Sequence, residues 1–229
     1  MELFAPPDAR SYPTPSTRLL ALLIGCALAA ALAGAPAAQA APLCFGTYEA
    51  TIVGTSGSDF IVGTPGNDVV VARGGDDTVR GLGGRDIVCG GGGSDALILG
   101  PGRDLGNGGR GADFILGLRG RDRLWGGFGN DSGVALGIFG GPGEDHLFGG
   151  PGADFVEGGK KRDVVKGERG PDVLHGSGGN DTLFGSAGDD DIEGQMGNDH
   201  LDGSIGVDSL NGGPGTDLCE RGETLMNCE

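Results

Sequence analysis

Eighteen aspartates recur at a fixed interval, and ionised carboxylates at such an interval are hard oxygen ligands for cations. They are Asp59, Asp68, Asp77, Asp86, Asp95, Asp104, Asp113, Asp122 and Asp131, then Asp145, Asp154, Asp163, Asp172, Asp181, Asp190, Asp199, Asp208 and Asp217. Neighbours are nine residues apart, except across a gap of fourteen between Asp131 and Asp145. An aspartate can also serve only to close an Asx-type turn. That role does not require the same acid in all eighteen units, with no Glu, Asn or Ser in its place.

The residues around each acid hold the same phase. With the aspartate as position six, position one is Gly in 16 of 18 units, position four in 17 and position two in only eight. Ala72, Leu99 and Lys161 are the departures at positions one and four. Glycine at such places allows a tight turn with positive φ and lets backbone carbonyls approach a ligand. Position eight is apolar in 16 units and fails only at Gly106 and Gly133. Positions seven to nine predict a three-residue strand whose alternation turns position eight inward. The predicted core is Ile61, Val70, Val79, Val88, Leu97, Ile115, Leu124, Leu147, Val156, Val165, Leu174, Leu183, Ile192, Leu201 and Leu210.

The pattern resembles the repeats-in-toxin (RTX), or haemolysin-type, calcium-binding nonapeptides, G-G-x-G-x-D-x-U-x. The resemblance runs from Gly54 to Glu220. It implies an all-β fold, a right-handed parallel β-roll with two nonapeptides per coil and about nine coils. It also implies multiple Ca2+ ions between stacked turns, held by the eighteen aspartates of units n and n+2 and by turn carbonyls. Asp59 would then stack on Asp77, and Asp68 on Asp86. Unit twelve (Gly158–Lys166) departs from the pattern. Lys160, Lys161 and Arg162 place three cations at its turn, so a defective ion site is expected, with an ammonium paired to Asp145, Asp163 or Asp181.

Stacked strands lie about 4.8 Å apart. At ~5 Å two unit charges repel by about 0.8 kcal/mol in water and ~3 kcal/mol at an effective dielectric of 20. Two columns of such acids should not fold without a divalent cation. Calcium accepts many oxygen ligands in flexible geometry, whereas magnesium keeps its water.

The net charge of −16 argues against nucleic acid and anionic membranes as partners. Residues 1–40 read as a signal peptide: Arg10 and Arg18, an apolar run from Leu19 to Ala35, then Ala38-Gln39-Ala40. A membrane anchor, or lipidation at Cys26, is the alternative reading of this segment. Cleavage leaves an extracellular chain with no membrane-inserted segment, carrying Cys44, Cys89, Cys219 and Cys228. An even count in an exported chain suggests two disulfides, with free thiols as the alternative. Cys219 and Cys228 both fall at position eight, which predicts a Cys219–Cys228 bridge and leaves Cys44 with Cys89.

The expected division is a signal peptide at 1–40, an N-terminal cap at 41–53 and nine repeats at 54–134. An insertion at 135–139 follows, then nine repeats at 140–220 and a C-terminal cap at 221–229. Val134, Leu136 and Ile138 are candidates to replace the core residue missing at Gly133. No catalytic constellation is present. Gly106 to Gly111 fit G-x-G-x-x-G only through the repeat, and Asp189 to Gly194 open an EF-hand-like run that ends on His200 rather than Glu. His146, His175 and His200 read as solvated surface. Trp125 and Phe148 point outward near Leu116 and Val164, as a contact patch or as scattered surface apolars. The expected function is a non-enzymatic, secreted calcium-binding structural or interaction module. The alternative is an accessory or adhesin-type protein with a protein or glycan partner.

Overall fold

The computed structural model describes residues 43–133 and 136–228. The segment 1–40 read as a signal peptide, with Cys26, and Val134 and Ala135 lie outside them. Among the described residues there is no helix long and apolar enough to cross a membrane. Instead, short strands alternate between two parallel sheets of ten strands each.

The nonapeptide explains the alternation. The strand is longer than the three residues expected: most run six, from position seven of one unit through position three of the next, as in Val164–Arg169 and Thr182–Ala187. The turn at positions four to six then reverses the chain, so consecutive units lie on opposite sheets and every second unit stacks. Val79 pairs with Leu97, and Val165 with Leu183, each eighteen residues on. The nine coils of regular repeats are joined by a half-regular unit at each end, which gives the ten strands per sheet. Nine steps of about 4.8 Å make the stack roughly 43 Å long.

All fifteen predicted core residues face the interior; Ile61 is 9% exposed and the others are fully buried. The two failures at position eight are each repaired locally. A Cβ on Gly106 would lie 2.9 Å from Leu99 Cδ1, because Leu99, buried at position one of the same unit, already fills that space. The departures at Leu99 and Gly106 are therefore one compensated exchange.

At the insertion, the register steps by 23 residues rather than eighteen, pairing Ile115 with Ile138 and Leu124 with Leu147. Ile138 is fully buried between Ile115 and Val156 and supplies the core residue that Gly133 lacks. Leu136 is half-buried. The insertion 135–139 was expected to bulge out or to shift the phase, and the phase shifts: Gly137-Ile138-Phe139 form strand. The extra residues enter earlier, between Asp131 and Gly137, so the acid keeps its place while its strand is supplied from further along.

The ends are closed by disulfides with the predicted pairing: Cys44–Cys89 and Cys219–Cys228, at Cα separations of 5.8 and 5.7 Å. The C-terminal cap is shorter than a full unit. Leu210 pairs with Leu225, fifteen residues on, so Leu225 rather than Cys228 holds the strand centre. Cys219, in the position-eight column, packs partly buried against the core. Arg221 pairs with the buried Asp202 across the same end. Replacing Cys219 and Cys228 by Ser is expected to cost about 2–3 kcal/mol, from the loop-closure entropy of the short loop. Amide exchange should show that loss at the final coil only; uniform loss of protection would contradict it.

The Trp125–Phe148 patch is satisfied within the chain. The rings stack at 5.4 Å, and Phe45, in the turn between the antiparallel strands Leu43–Cys44 and Tyr48–Glu49, meets Trp125 edge-on at 5.1 Å. Lys166 lies over both Phe148 and Phe184, 5.9 and 5.4 Å from the ring centres. Leu116, expected beside this patch, belongs to the other sheet.

Candidate metal centre: two aspartate ladders

The stacking gathers the eighteen aspartates into two ladders. One runs Asp59, Asp77, Asp95, Asp113, Asp131, Asp154, Asp172, Asp190, Asp208; each acid's backbone N–H donates to Oδ1 of the next, at 2.7–3.0 Å. The other runs Asp68, Asp86, Asp104, Asp122, Asp145, Asp163, Asp181, Asp199, Asp217 in the same way. Both cross the insertion unbroken.

One oxygen of each acid is thus used by the backbone. The other is buried and has no hydrogen-bond partner in every ladder residue from Asp77 to Asp217. This is the costly state of a polar atom, at about 1–3 kcal/mol each and more for a charged group. The free oxygen sits beside position one of its own unit and the position-one carbonyl two units on. At Gly176 a Cβ would lie 2.8 Å from Asp181 Oδ2 and 2.7 Å from the Gly194 carbonyl oxygen. The position-one glycine therefore leaves room for carboxylate and carbonyl oxygens to converge.

Burial pushes the carboxyl pKa values up. Asp95, Asp131, Asp145, Asp154 and Asp190 rise to about 6. Asp104, Asp113, Asp122 and Asp181 rise to about 7, and Asp163 and Asp172 to about 8. Loss of water is the first cause in each. The backbone N–H bond opposes it, and for most of them like charge from neighbouring acids adds a smaller rise. The repulsion anticipated from the spacing is real but secondary to desolvation.

Three features of the site were not legible in the repeat. First, Glu223 extends the first ladder: its Oε2 accepts the Asp208 N–H at 2.6 Å. The short final unit hid it, because it stands fifteen residues on and not eighteen. Second, position five forms a lateral ladder. Asn67, Asp76, Asn130, Asn180, Asp189 and Asn198 each accept the position-five N–H of the next coil, at 2.8–3.1 Å. Third, Thr55 and Thr64 donate to the first acid of each ladder. The Thr55 and Thr64 N–H groups lie 2.6 Å from Asp59 Oδ2 and Asp68 Oδ2, and their hydroxyls 3.0 Å.

Unit twelve keeps the turn geometry despite its cations. Lys161 adopts φ 82° and its side chain is exposed. Among the described residues it forms no ion pair with Asp145, Asp163 or Asp181, so no ammonium takes the place expected for it. Left-handed backbone costs a non-glycine residue on the order of 1–2 kcal/mol. Lys161→Gly should therefore raise stability by about 1 kcal/mol in millimolar calcium, read as a higher urea midpoint. No change would mean that the turn is unstrained.

No three His, Cys, Asp or Glu side chains converge on a point among the described residues. A thiolate or imidazole site of the zinc type is thus absent from them, and the donor set is carboxylate plus backbone carbonyl, suited to a hard cation. The RTX calcium-binding nonapeptide repeat model (four copies) matches residues 46–74, 53–88, 62–97, 98–132, 138–165, 157–192 and 184–219. The matches break only where the register step falls. No curated protein matches the chain. With matches over most of its 229 residues, converging on the same turns whose acids stack in the structure, the chain belongs to the RTX calcium-binding nonapeptide repeat family.

Proposed function

We propose that this protein is an extracellular, non-catalytic structural module that folds on binding several calcium ions along its two aspartate ladders. The observation that carries this reading is the run of buried, unpartnered Oδ2 atoms from Asp77 to Asp217. The residues fit the ion: carboxylate oxygens and position-one carbonyls lie close together at glycines that leave the space open. A bound divalent cation supplies the positive charge that these acids lack. The chain supplies the ladder hydrogen bonds that hold each carboxylate, the glycine turns that admit it and the apolar interior that keeps the coils in register.

Extracellular calcium modules bind at roughly 10⁻⁴–10⁻³ M. With free calcium low inside the cell, the chain would travel unfolded and fold after export, and residues 1–40 have the composition of the required leader. Equilibrium dialysis against millimolar calcium tests the binding. Many ions per chain, undisplaced by equimolar magnesium, are expected; one ion or none would overturn the reading.

A further inference from the structure

The two ladders are not alike at their beginnings and along their length. At position two, the sixteen units from Arg73 to Gly213 all have positive φ, between 68° and 119°. Thr55 and Thr64, in the first two units, do not share it. The acids of those same sixteen units each leave Oδ2 buried without a partner. In the first two units Oδ2 instead receives both the N–H and the hydroxyl of the position-two threonine. Each hydroxyl also accepts a backbone N–H, from Gly57 at 3.2 Å and Gly66 at 3.1 Å, which holds it in place.

We propose, building on the calcium-binding reading above, that Asp59 and Asp68 are stops rather than ion ligands. The threonines supply internally the two donors that satisfy the carboxylate, and calcium occupancy begins at Asp77 and Asp86. The physical basis is the direction of the peptide. With position two left-handed, its N–H is turned away from the acid, and Arg73, for one, pairs in the sheet with Gly91. With position two at negative φ, the N–H aims at the acid and occupies the lone pairs a cation would need. The first coil then requires no ion. The Cys44–Cys89 bridge spans it, joining the N-terminal cap to the second coil, and its Val71 packs with Cys44 and Ile87. The first coil offers the calcium-dependent coils a formed edge on which to stack.

The test is a count of calcium ions by equilibrium dialysis on the full chain. The Asp59→Asn/Asp68→Asn double variant keeps an acceptor for each threonine and removes only the charge. It should bind as many ions as the parent, with a calcium midpoint within about twofold, the range of a neutral substitution. Asp77→Asn/Asp86→Asn should bind fewer. Thr55→Gly/Thr64→Gly removes both hydroxyls and lets position two take the left-handed backbone of the other sixteen units, which turns the N–H away from the acid, and should bind more ions than the parent. Loss of ions from the Asp59/Asp68 variant, or no gain from the threonine variant, would overturn the proposal. A parent chain that binds no calcium would instead overturn the function on which it rests.

Discussion

In chelator at pH 8 the protein is expected to give the far-UV circular dichroism of a disordered chain, and in the same chelator below about pH 4 that of a β-roll. The sign follows from the ladder. The folded-state carboxyls lie at about 6 to 8 across the middle of the stack, against roughly 3.9 in an unfolded chain. Groups whose folded pKa is raised favour the fold fully below the unfolded value, and that stability is lost as pH rises through the folded value. The ion-free roll therefore loses stability between about pH 4 and pH 8. At pH 8 millimolar calcium should restore the β signal, and calcium binding at pH 6 to 7 should release protons. The acid measurement belongs on a dilute, centrifuged sample, because the sequence pI is near 4.4 and solubility is lowest there. A roll already folded in chelator at pH 8 would show that the buried acids are not what calcium answers.

The second large effect is steric. Position-four glycines of successive coils stack so closely that a Cβ on Gly152 would overlap the carbonyl oxygen of Gly129. Both partners are backbone, fixed from either side by the ladder hydrogen bonds of Asp131 and Asp154. No side chain can move away to relieve the clash. Gly152→Ala should therefore cost more than about 3 kcal/mol, at the extreme of single substitutions. Calcium titration should show the roll forming only at much higher ion concentration, or not at all. Gly92→Ala is the control: nothing lies within 4 Å of its Cβ, and φ there is not left-handed. Its expected change is within about 0.5 kcal/mol. Equal effects at the two sites would mean that glycine's unfolded-state entropy, not turn stacking, sets the cost.

The nine-residue phase determined the coil by itself. A turn every nine residues reverses the chain, so residues eighteen apart must stack, and alternation within a three-residue strand must send position eight inward. That is why Val79, Leu97, Leu174 and the aspartate pairs were legible as columns before any geometry. The disulfide pairing came out as expected, but not for the expected reason: the short cap puts Leu225 at the strand centre and leaves Cys228 beyond the last strand, where it still reaches Cys219.

Tertiary structure decided what depends on residues outside that phase. Leu99 and Gly106 read as two separate defects, yet the interior treats them as one filled volume. The added residues cannot be assigned by count alone. What fixes them is Ile138, the side chain that must enter the core beside Ile115. Glu223 joins a ladder because its longer side chain reaches Asp208 from a unit three residues short. The sequence presents Asp59 and Asp172 as the same residue in the same motif. Only the fold separates them, because the direction of one peptide at position two decides whether a buried carboxylate finds its donors within the chain or is left needing a cation.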